Sequence, residues 1–432
     1  MKTGILGGGV TGLTLATALE DDHEILEKND RVGGLCRSFT EKGFTFDIGG
    51  HIFYSKEQPV MDWMLGELGE NKHQKRRNNK VLVKGRYIKY PFENELSGLS
   101  LKDNLYCLRT YLFNPYAKQE PTNFREWIYH TFGEGISELY LVPYNEKIWK
   151  RPLEGMSLHW VYGRVPSPPK LDVIKSSLGI STEGYTHQLY FHYPKRGGIQ
   201  ALVDSLEKKA GRISLNFSIS SIRKVADKWV VTDGTRKKIY DRLVSTIPIP
   251  ELINALEDVP KDIKHIASKL EYNSIITTFI GLNVPALNNY TAVYVPSNEI
   301  DPNRLCFMNN FSEHSAPNGC FGLMTETTIN PGKLGRETDE EIAKKTVDGL
   351  HRQGIINRDE VIYTSVFRER YAYVVYDLDY QKNIKILKDY LEQRGIMLCG
   401  RFGEFEYLNM DACVKRALEL GKRINEKDNE TS

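Results

Sequence analysis

The stretch Thr3-Gly4-Ile5-Leu6-Gly7-Gly8-Gly9-Val10-Thr11-Gly12 decides the fold of this chain. Its apolar start predicts a strand, and its glycines follow the G-x-G-x-x-G spacing at which a strand turns directly into a helix. Gly7 permits the tight turn, Gly9 lets the backbone approach a pyrophosphate, and Gly12 lets the helix pack on the strand. A second apolar run ends in Glu27, about twenty residues after Gly7, where an acid accepts hydrogen bonds from ribose. Because the start of a helix also attracts phosphate, this unit predicts a bound dinucleotide.

A second glycine pair indicates which dinucleotide binds. It stands in Arg31-Val32-Gly33-Gly34-Leu35-Cys36, and Phe44-Thr45-Phe46-Asp47-Ile48-Gly49-Gly50-His51 follows. Both stretches resemble the glutathione-reductase-type flavoproteins of the amine oxidase and protoporphyrinogen oxidase group, in which the doublet lets backbone lie along FAD. The resemblance implies tightly held FAD and an α/β fold. That fold combines a Rossmann-like, discontinuous FAD-binding domain with an inserted mixed α/β substrate domain.

Composition excludes several classes of protein. At 432 residues the chain exceeds one typical core, which predicts two intertwined domains. The formal net charge of +2 argues against a nucleic-acid polymer as partner. The basic run Lys72–Arg77 is interpreted as a solvated loop or hairpin. Six cysteines without C-x-x-C spacing predict free thiols and no metal site. No apolar stretch is long enough for a membrane span, and the chain enters its first strand without a signal peptide, so we expect a cytoplasmic protein.

The order of periodic segments predicts how the domains are divided. Helical periodicity dominates from about Leu99 to Lys175, with an apolar stripe through Trp127, Ile128, Phe132, Ile136 and Leu139. A hairpin that turns at Lys84-Gly85 is predicted over Val81–Phe92, and a strand around Ile213 to Phe217. Alternating segments from Asn273 to about Thr328 predict strands, a last buried strand is expected at Ile396–Cys399, and a helix from Met410 to about Lys427 closes the chain. We therefore assign 1–80, 190–255 and 390–432 to the FAD-binding domain. The substrate domain, a helical part plus an antiparallel sheet, takes 81–189 and 256–389.

Further motifs resemble one family in particular, the UDP-galactopyranose mutases, and are closer to its eukaryotic-type branch. Gly49-Gly50-His51 resembles the mutase segment that wraps the flavin ring, and Tyr90-Pro91-Phe92-Glu93-Asn94 the one that sandwiches uracil. Two stretches resemble those carrying the diphosphate-binding arginines: Gly163-Arg164-Val165-Pro166 and the stretch from Arg304 to Ser312. The resemblance spans nearly all of the chain.

The resemblance implies a flavoenzyme without net redox chemistry. In these isomerases of glycan biosynthesis, N5 of reduced FAD is the nucleophile at the anomeric carbon, and pyranose and furanose forms of UDP-galactose interconvert. NAD(P)H or another donor would reduce the flavin, a UDP-sugar would be the substrate, and a homo-oligomer is compatible with the sequence. Independently of the family, paired arginines match phosphate oxygens with fork-shaped donors, and aromatic side chains stack on a planar base.

The resemblance also carries over individual residues. The catalytic residues it implies are His51, Arg164 and Arg304. The cofactor-binding residues are Gly7, Gly9, Val10, Thr11, Gly12, Glu27, Lys28, Gly33, Gly34, Leu35, Gly50, His51, Gly400, Arg401, Asn409 and Met410. The substrate-binding residues are Tyr90, Phe92, Glu93, Asn145, Trp149, Arg164, Arg304, Tyr373 and Tyr407.

Departures from the family pattern leave the nucleotide and the sugar open, and two alternative functions stand beside the mutase. Glu93 stands where eukaryotic-type mutases have glutamine, and Val374 and Tyr376 replace the prolines expected beside Tyr373. The first alternative is an FAD-dependent oxidase or desaturase of the protoporphyrinogen oxidase or amine oxidase type. Such an enzyme favours an apolar tunnel or an aromatic cage over two inward arginines. The second is a catalytically silent FAD-binding scaffold, which His51, Arg164 and Arg304 together disfavour.

Overall fold

The fold was analysed in a computed structural model that describes residues 1–161, 168–182 and 189–431. Its strands are β1 Lys2–Leu6, β2 Asp22–Leu26, β3 Ser38–Glu41, β4 Phe44–Asp47, β5 Lys72–Arg76, β6 Asn79–Val83, β7 Arg86–Lys89, β8 Tyr190–Pro194, β9 Arg212–Ser214, β10 Ser221–Val225, β11 Lys228–Thr232, β12 Lys237–Tyr240, β13 Arg242–Ser245, β14 Tyr272–Leu282, β15 Ala292–Tyr294, β16 Arg304–Phe307, β17 Phe321–Ile329, β18 Val361–Val374 and β19 Ile396–Leu398. The helices are α1 Val10–Ala18, α2 Gln58–Leu68, α3 Leu101–Leu112, α4 Phe124–Ile136, α5 Val142–Trp149, α6 Lys170–Ser177, α7 Gln200–Glu207, α8 Ile249–Ala255, α9 Lys261–Ser268, α10 Met308–Phe311, α11 Asp339–Arg352, α12 Tyr380–Gln393 and α13 Met410–Thr431.

A five-stranded parallel sheet draws its strands from three distant parts of the chain. Its order is β19-β13-β1-β2-β9. Helix α1 packs against α7 and α13, and the side chains between these helices and the sheet form one apolar core. Because β1 and β2 are parallel, the glycine turns that follow them, at Gly7–Gly9 and Gly33-Gly34, lie at the same edge of this sheet. The predicted α/β, Rossmann-like fold is confirmed.

A second, seven-stranded sheet lines the same cavity as the first. Its order is β18-β14-β17-β16-β15-β6-β7, and all its pairs are antiparallel except β15 with β6. The strands predicted between Asn273 and Thr328 lie here as β14 to β17. The hairpin of β6 and β7 turns at Lys84-Gly85, whose φ angles of +49° and +75° match a tight two-residue turn. The domain boundaries proposed above stay predictions.

The helical segment covers one end of this sheet. The predicted apolar stripe on α4 is buried: Trp127, Ile128, Phe132 and Ile136 belong to one core cluster. Gly133 adopts φ +69°, and a Cβ there would lie 2.4 Å from the carbonyl oxygen of Thr110 on α3. The helix bends here because α3 and α4 approach so closely.

Two local expectations need correction. The basic run Lys72–Arg77 is neither a solvated loop nor a local hairpin, because Lys72–Arg76 forms β5 and pairs antiparallel with the distant β8. The strand expected at Ile213–Phe217 is shorter and earlier, at Arg212–Ser214, where it joins the edge of the parallel sheet. Among the described helices, none combines the length and apolar character that crossing a bilayer demands.

Candidate active site

The first glycine turn leaves backbone open to a ligand. Gly7 adopts φ +101°, and its N–H donates to the carbonyl of Leu26 at 2.9 Å. Helix α1 then begins at Val10 without a side-chain hydrogen bond to its first turn, which leaves N–H groups there for another acceptor. No atom lies within 4 Å of the place a Cβ would take on Gly9, whereas a Cβ on Gly12 would meet the carbonyl oxygen of Gly7 at 2.1 Å. This combination of space and close packing fits a pyrophosphate.

The second glycine pair packs directly on the first turn. The N–H of Gly33 donates to the carbonyl of Gly8 at 2.8 Å, and a Cβ on Gly34 would lie 3.2 Å from the Cα of Gly9. The buried carboxylate of Glu27 accepts from the N–H of Gly8 at 2.8 Å and from the side chain of Asn29 at 2.7 Å. The acid is therefore held rigidly at the edge of the turn, where a ribose would lie.

The last strand brings a third turn to the same place. Gly400 adopts φ +86°, and a Cβ there would meet Oγ1 of Thr11 at 2.3 Å, so the C-terminal turn contacts the start of α1. Arg401 donates to the carbonyls of Leu408 at 2.7 Å and Ala372 at 2.6 Å. Its guanidinium lies 4.3 Å from the ring centre of Tyr407. The charge of Arg401 is thereby fixed between the two sheets.

The opposite end of the site is organised around Arg304 on β16. In the sheet register Arg304 stands between Tyr294 on β15 and Glu326 on β17, and its guanidinium donates to the fully buried carboxylate of Glu326. The same carboxylate accepts from the N–H of Gly50 at 2.7 Å. Burial alone would lower the pKa of Arg304, but the charge of Glu326 raises this pKa well above its usual value. The guanidinium is therefore permanently charged.

His51 is a neutral imidazole in this setting. Burial lowers its pKa to about 4, which outweighs the opposing effect of Glu326. Its Nδ1 lies 3.1 Å from the carbonyl oxygen of Gly49. Because a carbonyl can only accept, Nδ1 carries the proton, and Nε2 is left as an acceptor. His51 can orient or polarise a bound group, but it is not a cationic acid at neutral pH.

One continuous cavity of about 530 Å³ joins these parts. Among the predicted site residues it is lined by Gly7, Gly9, Val10, Thr11, Glu27, Lys28, Gly33, Gly34, Leu35, Gly50, His51, Arg304, Tyr373, Arg401, Tyr407, Asn409 and Met410. Near its polar end the rings of Tyr373 and Tyr407 stack at 5.8 Å and 14°. Gly12 and Gly400 support the wall from behind through the close contacts described above.

Several predicted substrate residues lie elsewhere. Phe92 is fully buried against Tyr140, and Trp149, 3% exposed, donates from Nε1 to Oδ1 of Asn145 at 3.2 Å. Glu93 is buried beside them, and burial raises its pKa to about 7. None of these four side chains is part of the lining of the cavity.

Tyr90 lies at the border of the site. It packs on Tyr294 at 4.9 Å and lines a smaller neighbouring cavity that shares Arg77 and Asn79 with the main one. Arg164 falls at a position outside the described residues. The binding roles of these residues stay predictions.

Comparison with known proteins identifies the family. A sequence model described as flavin containing amine oxidoreductase matches residues 10–400, which is most of the chain. The chain belongs to this family. Membership confirms the amine oxidase-type FAD superfamily that the two glycine doublets resemble.

Solved structures agree over the whole length. That of a reduced UDP-galactopyranose mutase superposes with a TM-score of 0.89 at 26% identity and covers 98% of this chain and 94% of its own. A putative protoporphyrinogen oxidase from Exiguobacterium sp. 255-15 gives a TM-score of 0.78 at 19% identity, covering 99% of both chains. The second likeness concerns the fold alone.

Curated relatives match over short stretches. An uncharacterized protein in nifH2 3'region of Methanothermococcus thermolithotrophicus is 51% identical over 53 residues, 12% of this chain. Because this match covers 52% of that protein, the chain spans about half the length of the relative.

Family membership implies FAD, and the site fits it. Open space at Gly9, the uncapped start of α1 and the rigid acid Glu27 suit the pyrophosphate and ribose of a dinucleotide. The glycine pair at Gly33-Gly34 packs closely on the first turn and lines the same cavity. The same cavity is also lined by His51 and Arg304, beyond the glycine turns.

The structure adds residues that the sequence analysis missed. Glu326 and Tyr294 flank Arg304 through strand register, and Arg77 and Asn79 line both cavities. One signal was present: Glu326 is the lone charged residue in the strand sequence Phe321–Ile329. For Arg77 the basic run gave a misleading signal, since runs of this kind are usually solvated.

Proposed function

We propose that the protein is a flavin-dependent nucleotide-sugar mutase that interconverts pyranose and furanose forms of a UDP-galactose-like substrate. The observation that carries the proposal is the polar end of the cavity. Nε of Arg304, Nε of Arg401 and Oε2 of Glu326 are buried there without a hydrogen-bond partner among the described residues. Buried polar atoms of this kind call for a ligand or water. The whole-length likeness to a UDP-galactopyranose mutase supports the same reaction class.

The charges favour an anionic substrate. Two guanidinium groups, of Arg304 and Arg401, meet one carboxylate, Glu326, so this end of the cavity has a positive excess. A planar guanidinium offers parallel donors that match the oxygens of a diphosphate. Arg401 is held by two backbone carbonyls, and Arg304 by Glu326, so both forks are oriented before a ligand arrives.

The residues of this chain have a positioning task. Reduced FAD, when bound, supplies a nucleophilic nitrogen, and for that reason no side-chain nucleophile is needed. Arg304 would hold the diphosphate after it leaves the sugar, which keeps recombination intramolecular. The neutral Nε2 of His51 would accept a hydrogen bond from the cofactor or substrate. NAD(P)H or another donor would keep the cofactor reduced.

An FAD-dependent oxidoreductase is the second candidate. The stacked rings of Tyr373 and Tyr407 offer two parallel aromatic faces, which could flank an amine. However, Arg401 lies over Tyr407 at 4.3 Å, and a second cation at this ring would be repelled. The polar cavity end thus suits a phosphorylated ligand better than an ammonium group.

The test combines turnover with a matched pair of variants. Purified protein reduced with dithionite is incubated with UDP-galactofuranose, and the products are separated by chromatography. We expect UDP-galactopyranose from wild type. Arg304→Lys keeps the charge beside Glu326 but loses the fork, and should weaken nucleotide-sugar binding about tenfold while FAD stays bound. Arg223→Lys, at an exposed position of β10, is the control and should bind the nucleotide sugar like wild type.

Two results would reject the proposal. One is the absence of conversion over a panel of nucleotide sugars combined with rapid oxidation of an amine by the oxidised protein. The other is unchanged affinity in Arg304→Lys, which would make Arg304 a structural partner of Glu326.

A further inference from the structure

Exposed apolar side chains are concentrated on one face of the helical segment. The described part of the chain exposes fourteen large hydrophobic side chains, and eight of them fall in two short segments. These are Leu101, Leu105, Leu112, Phe113 and Tyr116 in and after α3, and Leu171, Leu178 and Ile180 in and after α6. Phe113 is 79% exposed and Leu101 73%. Such clustering is unusual for a surface that contacts only water.

The two helices form one continuous surface. Asn104 and Ser177 exchange hydrogen bonds of 2.9 and 2.7 Å, and the hydroxyl of Tyr111 donates to the carbonyl of Pro168 at 3.1 Å. The start of α3 therefore lies beside the end of α6, and the two helices run antiparallel.

On α3 the leucines share one side of the helix. Leu101, Leu105, Leu108 and Leu112 follow the spacing i, i+4, i+7 and i+11, which places them on a single stripe. The buried residues Asn104 and Cys107 face inward instead. We call the leucine stripe, Phe113 and the exposed residues Leu171, Leu178 and Ile180 in and after α6 the α3–α6 face.

Basic side chains lie on and beside the α3–α6 face. Lys102, Arg109, Lys170 and Lys175 are exposed there. The two segments contain two acids, Asp103 and Asp172, and Asp103 is already bound by Lys84 at 2.7 Å. Within the two segments the four exposed cations exceed the two acids, and Glu138 of the neighbouring turn accepts from the hydroxyl of Tyr106 on α3 at 2.9 Å. The apolar side chains are therefore interspersed with a local excess of positive charge.

We propose that the α3–α6 face binds the surface of an anionic phospholipid membrane. The leucines and Phe113 would enter the boundary between headgroups and acyl chains, and the four cations would meet the lipid phosphates. The helices would lie in the plane of the surface. A second copy of this chain fits the face less well, because a symmetric contact brings the same cations together from both sides.

Vesicle sedimentation with the full chain tests this proposal. Phosphatidylcholine vesicles with phosphatidylglycerol should pellet the protein, and pure phosphatidylcholine vesicles should pellet far less. Leu105→Glu should abolish the difference. Lys102→Ala and Lys175→Ala should each weaken binding about fivefold, and added salt should weaken it further.

Ile362→Glu is the matched control, because Ile362 on β18 is 51% exposed and Leu105 is 55% exposed. It should bind vesicles like wild type. Equal binding by Leu105→Glu and wild type would overturn the proposal. It would also be overturned if light scattering showed an oligomer that Leu105→Glu dissociates while no variant binds vesicles, since the face would then join two copies.

Discussion

The carboxylate of Glu326 fixes two other parts of the site. It accepts from Arg304 and from the N–H of Gly50, and it is fully buried. A Cβ on Gly50 would lie 2.9 Å from Sγ of Cys306, so the glycine lets this segment pass close to β16. The carboxylate of Glu326 therefore fixes the position of the Arg304 guanidinium and of the backbone at Gly50, directly before His51.

Loss of that charge should destabilise the fold. Glu326→Gln leaves the guanidinium of Arg304, whose side chain is 25% exposed and whose Nε is buried, without its counter-ion. We expect this change to lower the free energy of unfolding by about 3 kcal/mol. Arg304→Met combined with Glu326→Gln removes both charges and should recover at least half of the loss. Denaturant titration measures both. A single variant as stable as wild type would contradict this role of Glu326.

His51 should stay neutral over the physiological range. With a pKa of about 4 in the folded protein against 6.5 for an ordinary histidine, its imidazole should show no NMR titration between about pH 5.5 and 9. Between those two pKa values the unfolded chain binds the extra proton. The contribution of His51 to stability is therefore full above pH 6.5 and falls as pH drops toward 4. A titration midpoint near 6.5 would contradict its burial as an uncharged ring.

At the scale of elements, α1 packs closely on β1 because residue 12 is a glycine and has no side chain. Gly12→Ala would force a Cβ within 2.1 Å of the carbonyl oxygen of Gly7, and the turn that receives the pyrophosphate would shift. We expect Gly12→Ala to purify with less than about a tenth of its FAD. Gly66→Ala on helix α2 is the control, since nothing lies within 4 Å of its Cβ position. Full FAD content in Gly12→Ala would show that the turn tolerates displacement.

The segment between β15 and β16 is held by a single lysine. Nζ of Lys147 on α5 lies 2.5 to 3.1 Å from four backbone carbonyl oxygens, of Val295, Ser297, Ile300 and Pro302, which share its three N–H donors. Lys147 is 4% exposed. Because Tyr294 and Arg304 flank this segment, the lysine connects the helical part to the site.

Lys147→Met should remove all four contacts. Buried carbonyls without donors should lower the free energy of unfolding by about 3 kcal/mol, and the KM for substrate should rise because Arg304 is less well placed. Lys344→Met, at an exposed lysine of α11, should change neither. Thermal unfolding measures the change in stability, and steady-state kinetics measure the KM. An unchanged stability and an unchanged KM in Lys147→Met would exclude the positioning role.

At the scale of the whole molecule, local signals predicted much of the fold. The glycine spacing and apolar runs located β1, α1, the β6–β7 hairpin and α13, because turns and helix starts depend on nearby residues. Strand β5 was missed because its partner, β8, lies more than a hundred residues away. Pairing over such distances leaves no local pattern.

The same difference between local and distant contacts decides which residues of the candidate site could be predicted. Residues on turns, such as Gly9 and Gly34, could be placed at the cavity from sequence, since the turn itself forms part of its lining. Glu326 and Tyr294 reach Arg304 only through strand register, which the sequence does not display. Phe92 and Trp149 have the aromatic chemistry for base stacking; both are buried and absent from the lining of the cavity, and their binding roles stay predictions.

The proposed reaction interconverts the pyranose and furanose forms of the sugar without net redox change. The most direct measurement follows product and flavin absorbance together, under anaerobic conditions, after one stoichiometric reduction. We predict many equivalents of UDP-galactopyranose from UDP-galactofuranose while the flavin stays reduced. Reoxidation of the flavin in step with product, or product limited to one equivalent, would contradict the account.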